Sequence, residues 1–402
     1  MTPGRLSVVD EIFLRTHRGY GLPIALQGIW RSDDAVDRVD FAAVHANLSL
    51  GRLGRRIVSP RVPGARRRWV EEAHSYPLAF EPSPIKTSEI LDWADRQADV
   101  DLDPEFGPGW RMAVATTDAG GTVMSLACSH TLADAAGLVA AAGVAFEGTA
   151  PEPAPRRTSD VMDAVSLVRR VAPASVRAAA RLAFEKASRR ELTHYRRVSR
   201  AVTAHEIVCS SATFDIEAVL TNSEFISVVT EIAAELGEPQ PIRINVPFRT
   251  TGGGTNRIGM ATLNLSVTDT VDGIKQATKS AFSRPAGAPG GFPAEVVQLL
   301  SDRRAAALTA APGTARVLCS NIGDIPAAVA SIGGHRASSV ATRAVHPRAG
   351  RARTTTAVSA YVSFLDNRST LSLVGTEPRY ATVLGEVAAQ VLARRGLNAT
   401  PW

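Results

Sequence analysis

The chain has 402 residues, a net charge of +6, 45% hydrophobic residues and 21% charged residues. That length exceeds what one ordinary core fills, so two domains are expected, and the balance is that of a globular chain rather than a fibrous or disordered one. The basic residues are almost all arginine, with no aromatic-basic interleaving, so the charge implies a solvated basic surface or an acidic partner and excludes a nucleic-acid reader.

Leu6–Leu14 reads as a short helix and Leu22–Trp30 as an apolar strand. The densely basic stretch from Arg52 to Trp69 is interrupted by Pro60 and Pro63-Gly64, which rules out one long helix. Met112–Thr116 and Val123–Cys128 form a hairpin around Asp118-Ala119-Gly120-Gly121, and the Ala-rich run from Asp134 to Phe146 reads as a helix. Gly148–Ser159 has the Pro and charge content of a linker. Residues 160–200 read as a basic helical region broken near Pro173, its arginines offering either a solvated face or a contact for a carrier protein or membrane surface. Strands are expected at Ile207–Phe214, Ile242–Phe248, Gly259–Val267, Ala315–Ser320 and Thr355–Leu365. Helices are expected at Ile216–Leu236 and over residues 380–395. Two halves that each alternate strands and helices predict two α/β lobes: 1–159, a basic crossover over 160–200, and 201–402.

The most informative segment is Ser129-His130-Thr131-Leu132-Ala133-Asp134-Ala135-Ala136-Gly137. It places a histidine where a buried strand ends and a carboxylate in the first turn of the next helix. An imidazole there can exchange a proton near neutral pH, and the carboxylate can order the surrounding backbone. Two further segments stand out: Asn245-Val246-Pro247-Phe248-Arg249 followed by Asn256-Arg257-Ile258-Gly259, and Cys319-Ser320-Asn321-Ile322-Gly323. The Gly252-Gly253-Gly254 run lacks the ending of a phosphate loop and reads as a turn. The other histidines have no metal-ligand spacing, and no Gly-x-Ser-x-Gly elbow is present.

In this order the three segments resemble the His-x-x-x-Asp acyltransferases that depend on CoA or carrier proteins: peptide-synthetase condensation domains, wax ester synthases and polyketide-associated acyltransferases. The resemblance implies two chloramphenicol-acetyltransferase-like lobes with a central tunnel. It implies a stand-alone acyltransferase that moves an acyl group from a CoA or carrier-protein thioester to an alcohol or amine, as in secondary metabolism. By this resemblance His130 is the general base, and Asp134 pairs with Arg249 from the other lobe. Ser129 and Gly137 support the motif, Asn256 and Gly259 line the tunnel, and Ser320 and Asn321, at a strand end of the second lobe, join them as substrate-binding residues. No metal or permanently bound cofactor is implied, since the phosphopantetheine arm or CoA arrives with the donor. The partners are a small-molecule acceptor and an acyl-CoA or acyl carrier protein.

Two positions depart from the pattern. Ser129 stands where condensation domains and wax synthases carry a first histidine, and Ala135 where they carry glycine. They keep open a non-catalytic binding module on the same fold that recruits a carrier protein or partner enzyme. A lipid-handling synthase would need an outward-facing apolar patch, and none is obvious in the sequence. A loop at Ser283–Pro293, or the segment Ala344–Arg353, is expected to cross between lobes and help close the tunnel. Cys128, Cys209 and Cys319 read as reduced core residues. No apolar stretch approaches the roughly 20 residues that span a bilayer, and the N-terminus is unlike a signal peptide, so a cytoplasmic protein is expected.

Overall fold

A computed structural model describes residues 4–149, 158–250, 258–283, 291–302, 304–305 and 315–402. Two main sheets carry the fold. Their strands, in chain order, are β1 (Ala25–Ser32), β2 (Ala79–Phe80), β3 (Trp110–Thr116), β4 (Thr122–Ser129), β5 (Ser210–Ile216), β6 (Ile242–Arg249) and β7 (Ile258–Leu265). There follow β8 (Val317–Asp324), β9 (Ser339–Val345), β10 (Val358–Leu365), β11 (Arg368–Gly375) and β12 (Ala399–Pro401). The helices are α1 (Val8–Tyr20), α2 (Arg38–Leu50), α3 (Ile90–Ala98), α4 (Ala135–Phe146), α5 (Asp160–Phe184), α6 (Lys186–Ala201), α7 (Asn222–Glu235), α8 (Val271–Phe282) and α9 (Leu384–Arg394).

The first sheet has the order β9-β1-β4-β3-β2, and the second β7-β6-β8-β10-β11-β5-β12. In the first, β4 is buried along its whole length because helices cover both faces. Leu26, Trp30, Met124 and Leu126 pack under Phe41 and Leu48 of α2 and Leu138 of α4. Ile29, Ala113 and Val123 face Trp93 of α3 on the other side. In the second lobe, Val358, Ala360 and Val362 join Ile226, Val229 and Leu392 of α7 and α9. The intervening positions of β10 turn toward the first lobe, where the Ser363 hydroxyl donates to the Val340 carbonyl at 2.8 Å. Local signals set the helix ends: Ser7 and Asp10 form a reciprocal cap on α1, Thr221 and Glu224 one on α7.

The lobes are not consecutive in sequence. β9 leaves the second half and pairs antiparallel with β1, from Ala25↔Val345 to Arg31↔Ser339. Residues 339–345 therefore belong to the first lobe, which corrects the boundary of 201–402 as a continuous second lobe. The expected crossing segment at Ala344–Arg353 begins at the end of this strand. The other candidate, Ser283–Pro293, lies largely outside the described residues, as does most of the Gly148–Ser159 linker.

Other expectations change in detail. The basic stretch contains a two-stranded ribbon, Arg55–Val58 with Arg68–Glu71. The long basic helix runs through Pro173 and breaks instead at Glu185, whose backbone is extended. Proline at a solvent-facing position removes one N–H, and the freed carbonyl can turn to water. Cys209 is exposed rather than core, while Cys128 and Cys319 are buried. An outward apolar patch does exist, on α5.

Candidate active site

The loop between β4 and α4 is held by the sheet that precedes it. The Ser129 N–H donates to the Gly109 carbonyl and the His130 N–H to the Ile24 carbonyl, both at 2.8 Å, so the β1 pairing continues one residue past the strand. The Leu132 N–H returns to the Ser129 carbonyl at 2.9 Å and closes a tight turn. His130 is 9% exposed. Its ring stacks on Phe13 of α1, with centroids 3.7 Å apart and planes 13° from parallel. Parallel packing on an aromatic face fixes the imidazole plane.

Asp134 is the N-cap of α4. Its backbone is extended, and its Oδ1 accepts from the Gly137 N–H at 2.7 Å. It is 6% exposed. A buried carboxylate is tolerated here because amide N–H groups and the positive end of the helix face it. Gly137 keeps this cap open. A Cβ there would stand 3.1 Å from Asp134 Oδ1 and 3.6 Å from Arg52 Nη1. The guanidinium of Arg52, from the turn Arg52–Gly54 of the same lobe, also approaches Gly137.

Arg249 ends β6 with an exposed side chain, and among the described residues no ion pair joins it to Asp134. The expected pairing across the lobes is therefore corrected. The Asp134 carboxylate accepts from its own helix end, while the end of β6 is open to solvent.

His130 lines a cavity of about 200 Å³ between the lobes. Leu26, Trp30 and Val340 form its floor on the first sheet, and Ala135 and Leu138 of α4 border it. The opposite wall comes from β6, β7 and β8: Pro247, Ile258, Met260, Leu318, Ser320 and Ile322. The wall follows strand alternation. Ser320 lines the cavity. Asn321 is exposed on the other face, where its amide donates to Asn222 Oδ1 at 3.4 Å. Gly259 also turns away, beneath Phe248, whose ring a Cβ would meet at 2.6 Å. Neither Gly259, expected in the tunnel, nor Asn321, expected to bind substrate, therefore faces the cavity, and Asn256 lies outside the described residues.

Burial limits what the neighbouring groups can do. It pushes the Cys128 thiol up to about 12, with the nearby Asp134 charge adding to the effect. A thiol two residues from His130 is thus almost wholly protonated at neutral pH and is no acyl acceptor. Burial likewise raises the Tyr361 phenol to about 12, so in the cavity wall it is a neutral hydrogen-bonding group. His346 also borders the cavity. Burial lowers its affinity for a proton, and its Nδ1 stands 3.0 Å from the Pro23 carbonyl, to which only an N–H can donate. Phe13, Arg52, Tyr361 and His346 were not legible as site residues: each lies on an element distant in sequence from the motif. The nearest signal was the position of Phe13 on the inward face of the first helix.

No protein-family model matches the chain, and no curated protein matches it in sequence. Solved structures do. Polyketide synthase associated protein 5 from Mycobacterium tuberculosis superposes over 97% of this chain and 98% of its own, at 12% identity and a TM-score of 0.54. The wax ester synthase/diacylglycerol acyltransferase from Marinobacter aquaeolei VT8 covers 98% and 100%, at 12% identity and a TM-score of 0.51. A variant of the starter condensation domain of rhizomide synthetase, in complex with C8-CoA and Leu-SNAC, covers 98% and 93%, at 13% identity and a TM-score of 0.53. The chain has the two-lobed fold of these proteins along its whole length.

Proposed function

We propose that this protein is a thioester-dependent acyltransferase in which His130 is the general base. The observation that carries the reading is the place of His130: at the end of a buried strand, clamped on Phe13, and bordering a cavity between the lobes. An alcohol or amine acceptor gives its proton to the imidazole as it attacks the thioester carbonyl. The carbon–sulfur bond of the resulting tetrahedral adduct then breaks, and the imidazolium returns the proton to the leaving sulfur. The products are an ester or amide and a free thiol, and no redox change occurs. Asp134 is a positioning residue that holds the loop through the α4 cap. Support for a CoA or pantetheine donor comes from the condensation-domain structure that holds C8-CoA. The reaction belongs in the cytoplasm, in keeping with three free cysteines.

The apolar wall on β6–β8 favours an acceptor or acyl chain with hydrocarbon character over a charged one. The test is an intact-mass screen of acyl-CoAs and acyl carrier proteins against amine and alcohol acceptors, with wild type and His130→Ala in parallel. Product formed by wild type and lost in the variant supports the reading. Equal product from both removes His130 as the base. No product from any pair, with donor carrier proteins still bound, leaves the recruiting module that Ser129 and Ala135 suggest.

A further inference from the structure

We infer that the outer face of α5 docks the protein on an anionic lipid surface. The first turn of α5 is fixed to the first lobe by two ion pairs, Arg5 to Asp160 at 2.7 Å and Arg66 to Asp163 at 2.6 Å, the second fully buried. Ala164, Leu167, Val171 and Ala178 form its inward face. The outward face should then be polar if it met only water, and it is not. Val161, Val165, Val168, Ala172, Val176 and Ala179 recur at spacings of three and four and are all exposed. They make one apolar stripe roughly 27 Å long at 1.5 Å per residue. Met162 is 73% exposed, Val176 69% and Phe184, at the end of the helix, 87%. A contiguous apolar surface of this kind marks an interaction site.

Charge selects the partner. Arg169 borders the stripe, and Arg170, Arg177 and Arg181 form a second exposed line on the other edge of the outer face, with Met162, Pro173 and Ala180 between them. No Asp or Glu occurs from 164 to 184, and α6 with its N-cap adds exposed Lys186, Arg189, Arg190 and Arg197 against exposed Glu185 and Glu191. From that edge the long arginine stems can reach over the outer face to anionic headgroups while the stripe meets the lipid. An extended aliphatic stripe on a helix whose charges from 164 to 184 are all cationic matches a lipid plane better than the compact footprint of an acidic carrier domain. Among the described residues no helix is long and apolar enough to cross a membrane, so α5 lies on the surface. Inward, α5 rests on the turn Ala294–Leu299, which rests on α1, the helix that presents Phe13 to the cavity. Docking itself does not depend on the proposed acyl transfer.

The test is sedimentation of the full chain with phosphatidylcholine vesicles, with and without phosphatidylglycerol. Wild type should pellet with the anionic vesicles, less so as salt rises. Each arginine removed, as in Arg169→Gln or Arg177→Gln, should lower the partition coefficient about fivefold. The pair Val165→Asp with Val176→Asp should abolish pelleting. The milder pair Val165→Ser with Val176→Ser should weaken it while leaving the circular-dichroism spectrum and turnover of a short, soluble thioester unchanged. The inference is overturned if wild type does not pellet with anionic vesicles, or if the stripe variants pellet as well as wild type. It is equally overturned if the variants lose only binding to an acidic acyl carrier protein, or only convert a dimer to a monomer in light scattering.

Discussion

The two walls of the cavity are built on opposite principles. On the first lobe, backbone hydrogen bonds, a helix cap and a stacked ring all fix the position of one imidazole. On the second lobe, the facing wall is a set of apolar side chains from three strands, with Ser320 among them. On the proposed reading, one wall supplies a proton acceptor at a defined point and the other supplies shape. Polar chemistry needs angular precision, which hydrogen bonds give. Discrimination among hydrocarbon chains needs only volume, which side-chain size gives.

The sharpest way to break this contrast is His130→Ala. It should lower turnover by at least ~10²-fold, the usual contribution of a positioned base. Thermal denaturation should stay cooperative. Activity above roughly a tenth of wild type would put the chemistry elsewhere. On the facing wall the effect should be on selectivity. Leu318→Trp should penalise long-chain substrates relative to short ones by about tenfold in kcat/KM, and Met260→Ala should relax that bias. A uniform loss across chain lengths would show that this wall is not a gauge of size.

Smaller effects sharpen the first wall. Asp134→Ala removes a helix cap and should cost about 1 kcal/mol of stability, with Asp134→Asn retaining most of it, as chemical denaturation would show. If both variants are equally unstable, the cap is not what the carboxylate provides. The smallest expected quantity is the coupling between Asp134 and Arg249, below about 0.5 kcal/mol in a double-mutant cycle. The cycle between Asp134 and Arg52 should exceed it. Strong coupling to Arg249 would restore the pairing across the lobes.

Much of the first wall was legible in sequence because its signals are local. An apolar run that ends at Ser129-His130, followed by Asp134 ahead of an Ala-rich run, fixes a strand end, a turn and a capped helix, and α4 begins at Ala135. Strands such as β6 and β10 were legible from their β-branched and apolar content. The facing wall was read only in part. Ser320 and Asn321 are adjacent in sequence yet point to opposite faces, and which one faces the cavity depends on the register of β8 against β10. Whether Asp134 meets Arg249 depends on how the lobes are set against each other, which no local pattern encodes. β9 was missed altogether: Ser339-Val340-Ala341-Thr342-Arg343-Ala344-Val345 carries an arginine at its centre. That arginine is tolerated in the buried strand because its Nε donates to Gln27 Oε1 at 2.9 Å and its guanidinium faces Asp95.

The insertion of β9 beside β1 also sets a timetable for synthesis. β1 acquires its second neighbour only when residues 339–345 have been made, about 300 residues after β1 itself. At ~5–20 residues per second, a ribosome takes roughly 15–60 s to cover that distance. Throughout that interval the nascent first lobe carries an open strand edge with unpaired amides and carbonyls, the feature that recruits other strands or chaperones. The first lobe, though begun first, is completed only once β9 has been made.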